Sequence, residues 1–189
     1  MTTSDEALMS RIVEALGGRE AADEDPSSGT ILSISAALYG SVPDDEDVTR
    51  PTGFDPQAAA LFESIVEAAF LVANADGDFD ATERAVFEKV VVLSCGGSVK
   101  PAQVGALVED LTEMLEEDGL AKRAEMVART VTRKEHCEEV LRVAALIAFA
   151  SEGVSDVERE MLDAIRGNFD LPPGAVDEAI ETARKVVEG

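Results

Sequence analysis

Ala75-Asp76-Gly77-Asp78-Phe79-Asp80-Ala81-Thr82-Glu83-Arg84 is the stretch that decides the fold, because its residues are those that end one helix and open the next. Gly77 lacks a Cβ and can take the positive φ that closes a helix. Asp80 followed three residues later by Glu83 has the spacing of a capping box, in which each side chain accepts from the other residue's backbone N–H. Upstream, Asp55-Pro56 is a good helix start, since Asp caps well and Pro sits where a missing N–H costs nothing. The helix expected over 56–75 carries Leu61, Phe62, Ile65, Val66, Ala69, Phe70, Val72 and Ala73 on nearly all its faces, with Glu63 and Glu67 its charges. An element apolar all round belongs in the centre of a protein. Downstream, a second helix is expected from Ala81 to about Cys95, stopped by Gly96-Gly97.

The same order of parts returns when residues 69–90 are laid over 145–165. Ser151-Glu152-Gly153-Val154-Ser155-Asp156-Val157-Glu158-Arg159 again gives an acid, a glycine, a hydrophobe, a cap residue and a helix opening on Glu and Arg. It is one residue shorter between the glycine and the hydrophobe. The helix before it, opened by a capping box at Thr132 and Glu135 and running to about Ser151, carries Val140, Leu141, Ala144, Ala145, Ile147 and Ala148. An internal repeat of a helix-turn-helix unit is therefore expected. Its two apolar helices should pack against each other, each partly enclosed by the helix that follows it.

Further helices are expected over 101–118, 120–131, 156–167 and 174–188, bounded by Gly119, Gly167-Asn168 and Pro172-Pro173-Gly174. No segment alternates apolar and polar residues, so strands are not expected. The first 55 residues hold twelve acids and three bases, a net −9, and are expected to form an acidic arm. It contains a short amphipathic helix over 5–16, capped by Ser4, which must dock on something, and an apolar island at Ile31–Tyr39, expected to dock on its own domain or to bind a partner, the two separated by polar linkers. The fold class is thus all-α: an arm over 1–55 and a single helical domain of about seven helices over 56–189.

The Ala-Asp-Gly turn, the hydrophobe, the small or acidic cap and the glutamate together resemble the signature of TerB-like domains. These occur in tellurite-resistance TerB proteins and beside J-domains in DjlA-type co-chaperones. The resemblance covers about residues 56–189. It implies an all-helical domain with pseudo-twofold symmetry, a role in tellurite or other chemical stress responses, and no established enzymatic activity. Asp76, Gly77, Asp80 and Glu83 fill the first signature, and Glu152, Gly153, Ser155 and Glu158 the second, where Glu152 replaces the aspartate.

Composition narrows function. With 189 residues and 46% hydrophobic content, the chain can bury the core of a domain of ordinary size. Thirty-nine acids against sixteen bases give a formal net charge of −23, which repels phosphate backbones and anionic lipid, so nucleic acid is not an expected ligand. A cation or a basic protein surface suits this charge better. The longest low-charge runs, 68–75 and 143–151, fall short of the ~20 apolar residues of a membrane span. The N-terminus lacks a basic-then-apolar signal pattern, and only Cys95 and Cys137 occur, so the expectation is a soluble protein of a reducing cytoplasm.

Candidate chemistry is concentrated in the first turn. Capping accounts for Gly77, Asp80 and Glu83, but not for Asp76 and Asp78, which add repulsion nearby. Asp76-x-Asp78-x-Asp80 offers three carboxylates on one loop, and Ca²⁺ or Mg²⁺ takes several oxygen ligands, so Asp76, Asp78, Asp80 and Glu83 are the candidate metal ligands. The loop is not an EF-hand, because Ala81 and Phe87 stand where glycine and glutamate would be needed. His136-Cys137 lies in a first helical turn, where the dipole favours a thiolate, but Glu135, Glu138 and Glu139 oppose it. No phosphate loop or serine elbow occurs, so no enzyme is expected. Three functions follow as expectations: a non-enzymatic stress-response module working through protein contacts at Ile31–Tyr39 or the acidic turn face, a divalent-cation sensor or buffer, and an acidic subunit of a larger assembly.

Overall fold

A computed structural model describes residues 3–17, 30–39, 55–150 and 153–189. Among these residues the chain is all-helical: α1 (Thr3–Gly17), α2 (Ile31–Tyr39), α3 (Pro56–Ala73), α4 (Ala81–Ser94), α5 (Pro101–Asp118), α6 (Leu120–Thr130), α7 (Lys134–Ala148), α8 (Asp156–Asn168) and α9 (Ala175–Glu188).

Most ends follow the local signals. Asp55 caps α3 by accepting from the N–H of Gln57 at 2.9 Å and of Ala58 at 3.4 Å. Lys100 precedes α5, and its N–H donates to the Gln103 side chain at 2.9 Å. Three expectations are corrected. The first helix begins at Thr3 rather than at residue 5, so Ser4 is a helical position. α3 ends at Ala73, short of residue 75, because the Asn74 side chain donates to the Phe70 carbonyl at 2.9 Å and the chain turns there. The Thr132–Glu135 capping box does not form: Arg133 is the N-cap of α7, without a side-chain cap bond, so Glu135 falls one position too early to reciprocate.

α3 and α7 pack along one another at the centre. α2 and α6 cover α3, and α9 covers α7. α8 packs on α3, α6 and α7, so α7 is enclosed by its successor as expected. α4 behaves differently, turning toward α1 and α5 and meeting α3 in the edge-to-face pair Phe70–Phe87, 6.3 Å between centroids. Phe62, Phe70, Ile65, Leu71, Leu141 and Leu146 are fully buried, each contributing about 1.5–3 kcal/mol by leaving water.

The helices of the first 55 residues share this core: Ile12 and Leu16 of α1 and Leu32 and Ala36 of α2 have no exposed surface. α1 crosses α4 closely at Gly17, where an added Cβ would lie 3.2 Å from the Ser94 carbonyl oxygen. Arg11 adds a hydrogen bond to the Val187 carbonyl at 2.6 Å, fastening α1 to the end of α9.

Glu67 shows how a charge fits on a central helix. It is 7% exposed and meets Arg123 of α6 at 2.6 Å, while Arg123 also reaches Asp118 at 3.1 Å. Burial pushes the Glu67 carboxyl up, and Arg123 offsets this only in part, so the group stays above the usual carboxylate range. By length and mean hydropathy, 1.3 over 18 residues, α3 could cross a membrane; 61% of that stretch is buried inside the protein, the position of a core helix.

Candidate functional site

The first turn is built by its own side chains. Asp80, extended at φ −74° and ψ 171°, accepts from the N–H of Thr82 at 2.6 Å and of Glu83 at 2.9 Å. Glu83 accepts in return from the Asp80 N–H at 3.0 Å, which completes the capping box. Gly77 takes φ +82°, a conformation that disfavours a Cβ. Asp76 accepts from the Asp78 N–H at 3.0 Å, so it folds back over its own loop. Phe79 anchors the loop edge-to-face against Phe70 and Phe87, at 5.5 and 5.9 Å.

The second turn repeats the cap with fewer parts. Ser155 accepts from the Glu158 N–H at 3.2 Å, and Glu158 accepts from the Ser155 N–H at 2.7 Å. Gly153 takes φ +97°. Val154 stands where the first turn has Phe79. Glu152, assigned to the second signature, lies outside the described residues.

The two turns meet. Ala73 and Ile147, at the C-terminal ends of α3 and α7, line one cleft of about 280 Å³, so the ends of the two central helices converge. Its acidic wall is Asp76, Glu83 and Glu158, and its floor includes Val86, Phe87 and Val154. Nearby arginines are engaged elsewhere: Arg84 pairs with Glu88 at 2.7 Å and Glu109 at 3.6 Å, and Arg159 pairs with Asp177. Each carboxylate of the wall has one oxygen fixed by a backbone N–H.

All four residues proposed from sequence are exposed; Asp76 and Glu83 line this cleft, and Asp78 and Asp80 do not. Among the described residues no three His, Cys, Asp or Glu side chains come together as a metal site. Glu158, which the sequence places in the second signature but not among the candidate ligands, is the third acid of the cleft. Its partnership with Asp76 and Glu83 depends on which ends of α3 and α7 meet, and no local signal carries that. No family model, curated protein or solved structure matches this chain.

The remaining candidates are placed as follows. Ile31–Tyr39 docks by Leu32, Ser35 and Ala36 and leaves Ile34 and Leu38 exposed on a groove of about 610 Å³, shared with Leu61, Val131 and His136. Cys95 is buried, which pushes its thiol up to about 12. Cys137 is 3% exposed and donates to the Val131 carbonyl at 3.4 Å. Burial first, then Glu138 and Glu135, raise its pKa, so the helix dipole does not prevail and neither cysteine is poised as a thiolate.

Proposed function

We propose that this chain is a non-enzymatic TerB-like module of tellurite or other chemical stress response, acting through protein contacts at the face where its two acidic turns meet. The observation that carries this is the shared cleft: Asp76 and Glu83 of one turn and Glu158 of the other line a single concavity. The net charge of −23 favours a basic protein partner over nucleic acid or anionic lipid.

A photo-crosslinking residue placed at Val154, with Leu93 as an exposed control, tests the contact in cells grown with and without tellurite. A discrete adduct from position 154, reduced by Glu83→Gln/Glu158→Gln and not formed from position 93, is expected. Equal adducts from both positions, or none from 154, contradict it.

The alternative is a divalent-cation sensor or buffer using Asp76, Asp78, Asp80 and Glu83. Its support is that Asp76 and Glu83 reach the same cleft as Glu158; against it, Asp80 and Glu83 are occupied as reciprocal caps. Calorimetric titration with Ca²⁺ and Mg²⁺ decides it. Heat that disappears in Asp76→Asn/Asp78→Asn supports the cation, and no heat in the wild type removes it.

A further inference from the structure

At the opposite end of the central pair from the two turns, the starts of α3 and α7 and one face of α2 line the groove of about 610 Å³. α2 contributes Ile31, Ile34 and Leu38, spaced i, i+3 and i+7, which places them in one stripe along the helix. At 1.5 Å per residue that stripe is about 10 Å long, or two helical turns. Ile34 and Leu38 are 37% and 36% exposed, and Ile31 and Leu61, facing each other's helices across the groove, keep part of their surface. Large apolar side chains this open are few: among the described residues the others are Leu93 and Val157, and neither lies here. Apolar side chains scattered singly over a surface are ordinary, whereas aliphatic surface gathered in one concavity marks a place where something binds.

The charge of this groove runs against that of the molecule. Acids outnumber bases 39 to 16, and every other described arginine from α4 onward is paired with a carboxylate. Arg133 is the exception. It is exposed at the start of α7, and among the described residues its guanidinium makes neither an ion pair nor a hydrogen bond. His136, the single histidine of the chain, lines the same groove three residues on. Asp55 is the one acid among the lining residues, and its Oδ1 already caps α3 by accepting from the N–H of Gln57 and Ala58. With a Debye length of ~8 Å at physiological salt, a carboxylate seated beside Arg133 answers to the charges next to it rather than to the net −23.

We propose that this groove docks a short amphipathic helix of a partner protein, with aliphatic residues on one face and carboxylates along its edge. The aliphatic anchors, at the i, i+3 or i+4, i+7 spacing of helix-in-groove recognition, lie against Ile31, Ile34, Leu38 and Leu61. A carboxylate pairs with the Arg133 guanidinium, the geometry that arginine holds best, with His136 beside it. This surface is separate from the turn face and shares no residue with it, so the two stand or fall independently.

The test is an amide-shift titration of the ¹⁵N-labelled full chain at physiological salt with acetyl-Glu-Leu-Ala-Glu-Leu-Leu-Ala-Glu-Leu-Ala-amide, whose leucines share one helical face with the glutamates along its edge. Two further peptides replace every glutamate by glutamine, or every leucine by serine. The acidic peptide is expected to shift amides at 31–38, 57–61 and 130–136 and to leave those of the two turns, at 76–83 and 153–158, in place. It should bind at least fivefold tighter than the glutamine peptide, and the serine peptide should shift nothing. Arg133→Gln is expected to cut that preference below twofold while affinity for the glutamine peptide and the circular dichroism spectrum stay unchanged, which a merely structural arginine would not do. No shift in the groove, equal binding of the acidic and glutamine peptides, or a preference that survives Arg133→Gln overturns the proposal. Shifts that appear only after Asp44, Asp45, Glu46 and Asp47 are all changed to serine overturn it in favour of the chain's own acidic run. Self-association of the peptide-free chain by sedimentation equilibrium, abolished by Ile34→Ser, overturns it in favour of a second copy.

Discussion

The turn joining α3 to α4 and the turn joining α7 to α8 end and restart a helix by the same device, a positive-φ glycine followed by a reciprocal cap. They differ in what surrounds that device. In the first, Asp80 caps two N–H groups, Asp76 adds a bond within the loop, and Phe79 sits between Phe70 and Phe87. In the second, Ser155 caps one N–H and Val154 replaces the aromatic. The packing diverges as well: α8 stays on α7 and reaches α3, whereas α4 leaves for α1 and α5. The difference teaches which parts answer to helix mechanics and which do not. Glycine, cap and glutamate recur because any two helices joined this tightly need them. The aromatic anchor and the extra aspartates belong to the first turn alone.

Substitutions at matched positions sharpen that contrast. Phe79→Ala removes a ring with two edge-to-face partners and should cost about 2–3 kcal/mol, while Val154→Ala, half-buried and smaller, should cost under ~1 kcal/mol. Urea unfolding of both variants checks this, and equal losses would show that the aromatic anchor adds nothing. Gly77→Ala and Gly153→Ala should each cost about 1–2 kcal/mol, because both place a Cβ at positive φ. The Phe149 ring, 3.9 Å from the Cβ built at Gly153, is in ordinary contact and should not add to that loss. Cap removal comes next: Asp80→Ala should cost about 1–2 kcal/mol and Ser155→Ala about 0.5–1 kcal/mol, since one caps two donors and the other one. Asp78→Asn should change stability by less than ~0.5 kcal/mol, because the exposed carboxylate serves neither the cap nor the cleft. A loss above 1 kcal/mol there would reveal a structural role for the extra acid.

These matched positions also mark how far the amino-acid sequence could be read. The glycines, caps and most helix limits were legible because capping is local: residues two or three positions apart make the bonds. The same logic misplaced the start of α7, where Thr132 and Glu135 have box spacing but the helix opens one residue late. That α1 and α2 dock was legible from an amphipathic face and an apolar island; how deeply they enter the core was not, because an acidic composition over 1–55 hides four fully buried apolar side chains. Charge averaged over a segment says nothing about one face of a short helix. The cleft was not legible at all. Asp76 and Glu158 are far apart in the chain, and their approach follows from how α3 and α7 lie against each other, a property of whole-helix packing that no short pattern encodes.

The central claim is that the two turns form one surface, and amide spectra of ¹⁵N-labelled Val154→Ala test it most directly. The change is small, lies on the second turn and leaves the caps intact. Shifts are predicted both around residues 150–158 and across the gap at Ala73, Val86 and Phe87, which line the cleft with Val154. Shifts confined to α7, α8 and their own turn would contradict the account.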